Sequence, residues 1–102
     1  MTHASKRKGN AFERELVQLF RHAGVIAERA YASNGRALGQ AEGVDVSAGG
    51  LRIQAKRRAR LPAWLRLPEG CDCVIVREDN GRALVVFPAE ELADLLARAG
   101  GW

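Results

Sequence analysis

The chain has 102 residues, 47% of them hydrophobic and 27% charged, a size and composition that predict one globular domain over residues 1–102. Its formal net charge of +4 favours a polyanionic partner. No apolar run approaches the roughly 18 residues of a membrane span, and the basic start lacks the apolar stretch of a signal peptide. We therefore expect a protein that stays inside the cell and has no membrane partner.

A helix is predicted over Asn10–Ala23, because apolar residues recur there at helical spacing and Gly24 follows as a stop signal. The basic residues 1–8 before it are expected to form a flexible arm. Glu13 has two interpretations. It can complete a capping box with Asn10, or it can lie at the edge of the buried stripe, where its carboxylate reaches over the sheet.

The next segments are a predicted strand, Val25–Ala32, and a glycine-spaced loop, Ser33–Gly43. A loop of about eleven residues is long for a compact domain. It leads directly to Asp45, so it is either a segment that contacts the substrate or simply a long connection.

A β-hairpin is predicted next, because Val44–Ala48 and Leu51–Arg57 alternate in polarity and are joined by Gly49-Gly50. In this register Asp45 lies directly opposite Gln54, with Cβ atoms roughly 4.5 to 5.5 Å apart. A carboxylate oxygen and an amide oxygen at that separation can hold one hard cation.

Alternation also places Arg52, Gln54 and Lys56 on one face of this hairpin. The same spacing is expected of a polar hairpin face that is only solvated. Between Val46 and Pro68 the chain has no acidic residue, whereas six lysines and arginines fall there. Basic charge is therefore concentrated directly after the candidate site.

The last part of the chain predicts a short helix, a second hairpin and a closing helix. The short helix lies between Pro62 and Pro68, the strands of the hairpin are Asp72–Arg77 and Arg82–Phe87, and the closing helix is Pro88–Ala99. Trp64, in the short helix, is expected to plug the core or a groove, with base stacking as the alternative.

Cys71 and Cys73 form a C-x-C pair with no second pair and no neighbouring histidine. A structural zinc site needs four ligands, so this pair is insufficient. We expect both thiols to be reduced and to lie on one face of a strand.

Together these elements predict an α/β fold with a single mixed β-sheet flanked by helices. The order α-β-β-β-α-β, with an extra strand and a C-terminal helix, resembles the restriction-endonuclease-like core of the PD-(D/E)XK nuclease superfamily. The finer resemblance is to archaeal-type Holliday-junction resolvases and their phage-encoded relatives, which leaves a phage source open. It rests on Arg7-Lys-Gly-Asn-Ala-Phe-Glu-Arg-Glu-Leu-Val, Arg29-Ala-Tyr-Ala-Ser-Asn-Gly, Gly43-Val-Asp-Val and Ile53-Gln-Ala-Lys-Arg-Arg.

This resemblance implies a Mg²⁺ site, which Mn²⁺ can also fill, formed by Glu13, Asp45 and Gln54 with the Ala55 carbonyl as a further ligand. Lys56 would hold the attacking water or the charge that develops on the phosphate. The implied DNA contacts are Lys6, Arg7, Lys8, Arg29, Ser33, Arg36, Arg57, Arg58 and Arg60.

The implied activity is that of a Mg²⁺-dependent, structure-specific DNA endonuclease of recombination and repair, a homodimer that cuts branched or four-way-junction DNA. The chain departs from the family in two ways. Gln54 replaces the usual carboxylate, as in the Gln-x-Lys variant, and the segment after Lys56 is shorter than in the archaeal enzymes. Two alternatives remain: a basic DNA-binding module with little or no catalysis, and an interaction domain whose basic face serves only solubility.

Overall fold

A computed structural model of the protein describes residues 3–30 and 43–100, with side chains from Lys8 onward. The elements in chain order are α1 (His3–His22), β1 (Ala27–Arg29), β2 (Val46–Ala48), β3 (Leu51–Ile53), a short 3₁₀ helix (Ala63–Leu65), β4 (Val74–Val76), β5 (Leu84–Val86) and α2 (Ala89–Gly100). The predicted α/β class is confirmed, and each element has the predicted type.

The first helix starts earlier than predicted, at His3 rather than at Asn10. Residues 3–8 are therefore helical and do not form a separate arm. Asn10 lies inside α1, where its backbone N–H belongs to the helix, so it cannot serve as the N-cap. The capping-box interpretation of Glu13 is wrong for this reason.

The first sheet is antiparallel, in the order β1-β2-β3. Its hairpin turns through Gly49 and Gly50, whose φ angles of 55° and 81° are those of a type I′ turn. This turn gives the predicted register, with Val46 opposite Ile53 and Ala48 opposite Leu51. The ladder ends there, however, and the strand predicted to reach Arg57 stops at Ile53.

The core lies between α1 and this sheet. The α1 side chains Leu16, Val17 and Phe20 are buried against Ala27, Val46 and Ala48. Helix α2 packs against the same core through Ala93, which is 2% exposed. The side chains of β2 alternate between buried and half-buried, so this strand is held firmly between α1 and its two neighbouring strands.

The prediction of one mixed sheet is wrong for the described residues, in which β4 and β5 pair only with each other as a second antiparallel sheet. A parallel addition to the first sheet needs a long crossover, usually through a packed helix. The connection from β3 to β4 contains only the 3₁₀ helix Ala63–Leu65, which has no buried residue. This connection therefore contains no packed helix that would place β4 beside β3.

Several apolar side chains on this second part of the molecule are exposed. Trp64 is 63% exposed, so the prediction that it plugs the core is wrong. Cys71 and Cys73 are also exposed and precede β4, contrary to the predicted placement on a strand. Within residues 3–30 and 43–100, no helix has the length and apolar character needed to cross a bilayer.

Candidate active site

Asp45 lies directly before β2, and its backbone is held by both neighbouring strands. Its carbonyl oxygen accepts a hydrogen bond from the Ala30 N–H at 3.0 Å, on the β1 side. Its own N–H donates to the Ile53 carbonyl at 2.8 Å, on the β3 side. The position of this acidic residue is thus set by main-chain contacts in two directions.

The Asp45 side chain ends the β2–β3 ladder. In an uninterrupted two-residue hairpin the Ile53 carbonyl would face the Val46 N–H, and the Ala55 N–H would face the Val44 carbonyl. Here the Ile53 carbonyl accepts from Asp45, as in a β-bulge, and the Ala55 N–H donates to Asp45 Oδ2 at 2.8 Å. A side-chain oxygen therefore takes the place of a backbone acceptor.

This exchange changes the predicted relation between Asp45 and Gln54. The last ladder pair is Val46 with Ile53, so Asp45 and Gln54 are not a directly opposed pair of the ladder. Instead, the Asp45 carboxylate is bonded to Ala55, the residue between Gln54 and Lys56. Gln54 and Lys56 therefore flank the residue to which Asp45 is hydrogen-bonded, through a contact that the sequence pattern did not reveal.

The carboxylate retains the capacity to bind a cation. A carboxylate offers about four acceptor positions over its two oxygens, and the Ala55 N–H uses one of them. Asp45 is half-buried, while Gln54 and Lys56 are exposed. Asp45 is therefore partly accessible to solvent.

Gly43 lies beside the Gln54 amide. Its φ of +94° lies in the region that favours glycine, and a Cβ atom there would stand 3.4 Å from Gln54 Nε2. The glycine that ends the long loop thus borders the amide of the candidate metal site.

Glu13 is buried, at 6% exposure, and forms an ion pair with Arg29. Arg29 Nη2 and Nε donate to Glu13 Oε1 at 3.0 and 3.2 Å, and Nη2 also donates to Asn10 Oδ1 at 3.3 Å. A buried carboxylate requires such a partner because water no longer solvates it. Glu13, a predicted metal ligand, and Arg29, a predicted phosphate contact, therefore bind each other.

The backbone connects this ion pair to Asp45. Arg29 precedes Ala30, whose N–H donates to the Asp45 carbonyl, so the two acids are linked through one dipeptide of the β1 segment. Among residues 3–30 and 43–100, no group of three or more His, Cys, Asp or Glu side chains is close enough to hold a metal ion. The predicted set contains two acids and one amide, so a site formed by these residues would depend on the amide and carbonyl oxygens.

A basic cleft of about 420 Å³ is formed in part by the residues that directly follow Lys56 in the chain. It is lined by Lys8 and Gly9 from α1 and by Arg57, Arg58 and Ala59 from the segment after Lys56. Three predicted phosphate contacts from distant parts of the chain thus share one cleft. Arg60 is exposed and is not among the residues that line it.

The remaining predicted contacts cannot be placed. Ser33 and Arg36 lie outside the described residues, as do the side chains of Lys6 and Arg7.

A second basic cleft of about 530 Å³, not predicted from the sequence, lies between α1 and β1 and includes Arg14, Arg21 and Arg29. Arg21 is fixed in place, because its Nε donates to the Ala27 carbonyl at 2.9 Å. Arg14 and Arg21 are seven residues apart, two helical turns, so they share one side of α1. The seven-residue spacing of these two arginines is the feature of the sequence from which this cleft could have been predicted.

The family model of archaeal Holliday junction resolvases (Hjc) matches residues 4–50, just under half of the chain. This family belongs to the PD-(D/E)XK nuclease superfamily. The match includes Glu13, Arg29 and Asp45, and it ends before Gln54 and Lys56. It supports a nuclease function of the Holliday-junction-resolvase type, acting on DNA, and it does not extend to the Gln-x-Lys segment. No curated protein and no solved structure matches the chain.

Proposed function

We propose that this protein is a Mg²⁺-dependent, structure-specific endonuclease that hydrolyses phosphodiester bonds in branched DNA inside the cell. The observation that carries the proposal is the 2.8 Å bond from the Ala55 N–H to Asp45 Oδ2. It holds the Asp45 carboxylate against the backbone of Ala55, between Gln54 and Lys56, and such hydrolysis uses a carboxylate, an amide and a lysine. The family match over residues 4–50 supports the choice of DNA as substrate.

The residues present fit a hard cation, because their donors are oxygens. Asp45, the Gln54 amide oxygen and the Ala55 carbonyl would hold Mg²⁺, which keeps several waters and binds few protein groups. When bound, Mg²⁺ polarises the phosphate and lowers the pKa of a bound water. Mn²⁺ accepts the same oxygen ligands and would substitute for it.

Glu13 differs from the other proposed metal ligands. Its Oε1 is engaged by two Arg29 donors, so Glu13 can bind a metal only if these contacts rearrange or if another oxygen position is used. As the structure stands, Glu13 holds the Arg29 guanidinium, which orients one phosphate contact beside Asp45.

Lys56 supplies positive charge where the phosphate becomes more negative in the transition state. Lys56 is exposed and follows Ala55 in the chain, so its flexible side chain starts one residue from the backbone that holds the Asp45 carboxylate. The basic cleft lined by Lys8, Arg57 and Arg58 continues from this point and would hold the DNA backbone.

A four-way junction has two strands to cut in symmetry-related positions. A two-fold homodimer with one active site in each subunit is the simplest arrangement that cuts both. We therefore propose that the protein acts as a homodimer. Light scattering of the free protein and of its junction complex measures this directly, and a single copy on each junction would refute it.

Substitution of Asp45 tests the catalytic part with a matched pair of variants. Asp45→Asn keeps an oxygen that can accept from the Ala55 N–H but removes the charge. It should retain the fold and junction affinity and lose most of the cleavage in Mg²⁺. Asp45→Ala also removes the acceptor, so it should lose about 1–3 kcal/mol of unfolding free energy as well. Asp94→Asn removes the same charge from an exposed position on α2 and serves as the control.

Cleavage of a labelled four-way junction and urea unfolding are measured on all three variants. Wild-type cleavage by Asp45→Asn would remove Asp45 from the reaction. A second candidate function, a DNA-binding module without catalysis, is favoured by the neutral Gln54. Tight, salt-dependent junction binding by a wild-type protein that does not cleave in Mg²⁺ or Mn²⁺ would establish that alternative.

A further inference from the structure

A cleft of about 770 Å³ lies away from the candidate active site, between the 3₁₀ helix and the turn that joins β4 to β5. The indole of Trp64 lines it and is 63% exposed. The opposite side is formed by the turn residues 77–82, with the apolar side chains of Val76 and Leu84 at its base. An aromatic ring of this size thus stands in an open groove with one surface uncovered.

The charges around this groove are balanced. Arg77 and Arg82 stand at the two ends of the turn, and Glu78 and Asp79 lie between them. A site for phosphate alone would not place two carboxylates beside its arginines. The combination of an aromatic face, guanidinium groups and carboxylates suits a planar heterocycle that carries amino groups and is linked to a phosphate.

We propose that this cleft binds an unpaired nucleobase of the DNA, stacked on the indole of Trp64. Every base has a π-face, so stacking on an aromatic side chain is tolerant of sequence. Glu78 or Asp79 accepts hydrogen bonds from exocyclic amino groups of the base, and Arg77 or Arg82 contacts the adjoining phosphate. The proposal rests on the proposed function only in that the ligand is DNA.

The position of the cleft along the chain supports this ligand. Trp64 is six residues beyond Arg58, which lines the basic cleft formed in part by the residues after Lys56. Six residues span at most about 21 Å, the length of roughly six nucleotides along a duplex strand. One DNA strand can therefore contact both clefts. Unpaired bases occur in branched DNA that has single-stranded arms, such as forks and flaps, and not within linear duplex, so the site would favour those branched substrates.

Binding of a single-stranded oligodeoxycytidylate about ten nucleotides long, whose bases carry exocyclic amino groups, tests the proposal without Mg²⁺ and independently of cleavage. Because the chain has two tryptophans, the measurement uses a Trp102→Phe background, in which quenching of indole fluorescence reports on Trp64. We expect quenching on binding. Trp64→Ala should weaken oligonucleotide affinity about 5- to 150-fold, measured by anisotropy of a labelled strand, and Trp64→Phe should recover most of it.

The matched control is Leu61→Ala, which removes an exposed apolar side chain that does not line the cleft. It should bind the oligonucleotide like the parent protein, and Trp64→Ala should bind linear duplex like the parent. Absence of quenching, an equal loss with Leu61→Ala, or equal losses for single strands and duplex would overturn the proposal. Dissociation of a dimer by Trp64→Ala would also overturn it, because the ring would then cover a second copy of the chain.

Discussion

Replacing Arg29 by methionine should destabilise the protein by about 2–3 kcal/mol. Removing one partner of a fully buried ion pair costs about 3–5 kcal/mol, because the remaining charge stays buried without compensation. Glu13 fits that case, since its side chain is 7% exposed, but Arg29 is 31% exposed, so water can partly replace the lost guanidinium. Methionine retains much of the apolar stem, which limits the loss of packing.

The double-mutant cycle with Glu13→Gln separates the ion pair from other effects of the substitution. Glu13→Gln leaves Arg29 with Asn10 Oδ1 and solvent, so it should cost less, about 1 kcal/mol. The double variant should be more stable than the sum of the single changes predicts, by about 1–2 kcal/mol. Urea unfolding measured by circular dichroism gives these values, provided that the m-value stays constant.

Unfolding of Arg29→Met at the wild-type urea concentration, or additivity of the two substitutions, would contradict a stabilising ion pair. The same variants also test Glu13 as a metal ligand without any cleavage assay. If Glu13 binds Mg²⁺, the metal should raise the stability of Arg29→Met more than that of the wild type, because the released carboxylate gains a partner. Equal stabilisation of both proteins would restrict Glu13 to holding Arg29.

Three further predictions concern the site and its border. Gln54→Glu should keep cleavage activity and lower the Mg²⁺ concentration for half-maximal rate, whereas Gln54→Ala should lose most of the rate; superimposable Mg²⁺ titrations would remove Gln54 from the site. Gly43→Ala and Gly24→Ala should each lose about 1–2 kcal/mol in urea unfolding, because both glycines have φ above +90°. Only Gly43→Ala should also impair cleavage, since only its Cβ would meet the Gln54 amide, and equal activity of the two variants would contradict that contact. Arg57→Ala and Arg58→Ala should each reduce the slope of log affinity against log salt by about 1 for every junction sequence, and an unchanged slope would place that arginine off the backbone.

The sequence alone determined the type of each element and the register of the first hairpin. Both depend on neighbours in the chain. The apolar spacing of Leu16 and Phe20 selects a helix with one buried face, and two consecutive glycines permit the type I′ turn that sets Val46 opposite Ile53. The candidate site residues Asp45, Gln54 and Lys56 followed from that register and from the resemblance to the resolvases.

The boundaries of the elements were less predictable, because side chains compete with the backbone for hydrogen bonds. Asp45 accepts the Ala55 N–H and so ends a ladder that alternation alone would extend to Arg57. Likewise, α1 continues back to His3 through a polar segment that shows no apolar periodicity. Neither the end of β3 nor the start of α1 can be read from a pattern of apolar and polar residues.

Only the tertiary structure decided which distant residues meet. Glu13 and Arg29 are sixteen positions apart and form an ion pair because α1 packs on β1 at that level. Lys8 shares a cleft with Arg57 and Arg58 for the same kind of reason. The exposure of Trp64 could not be predicted from neighbouring residues either, because a ring is buried only if another element of the fold packs over it. The crossover before β4 provides no such element, so the second sheet stands apart and the indole remains open to solvent.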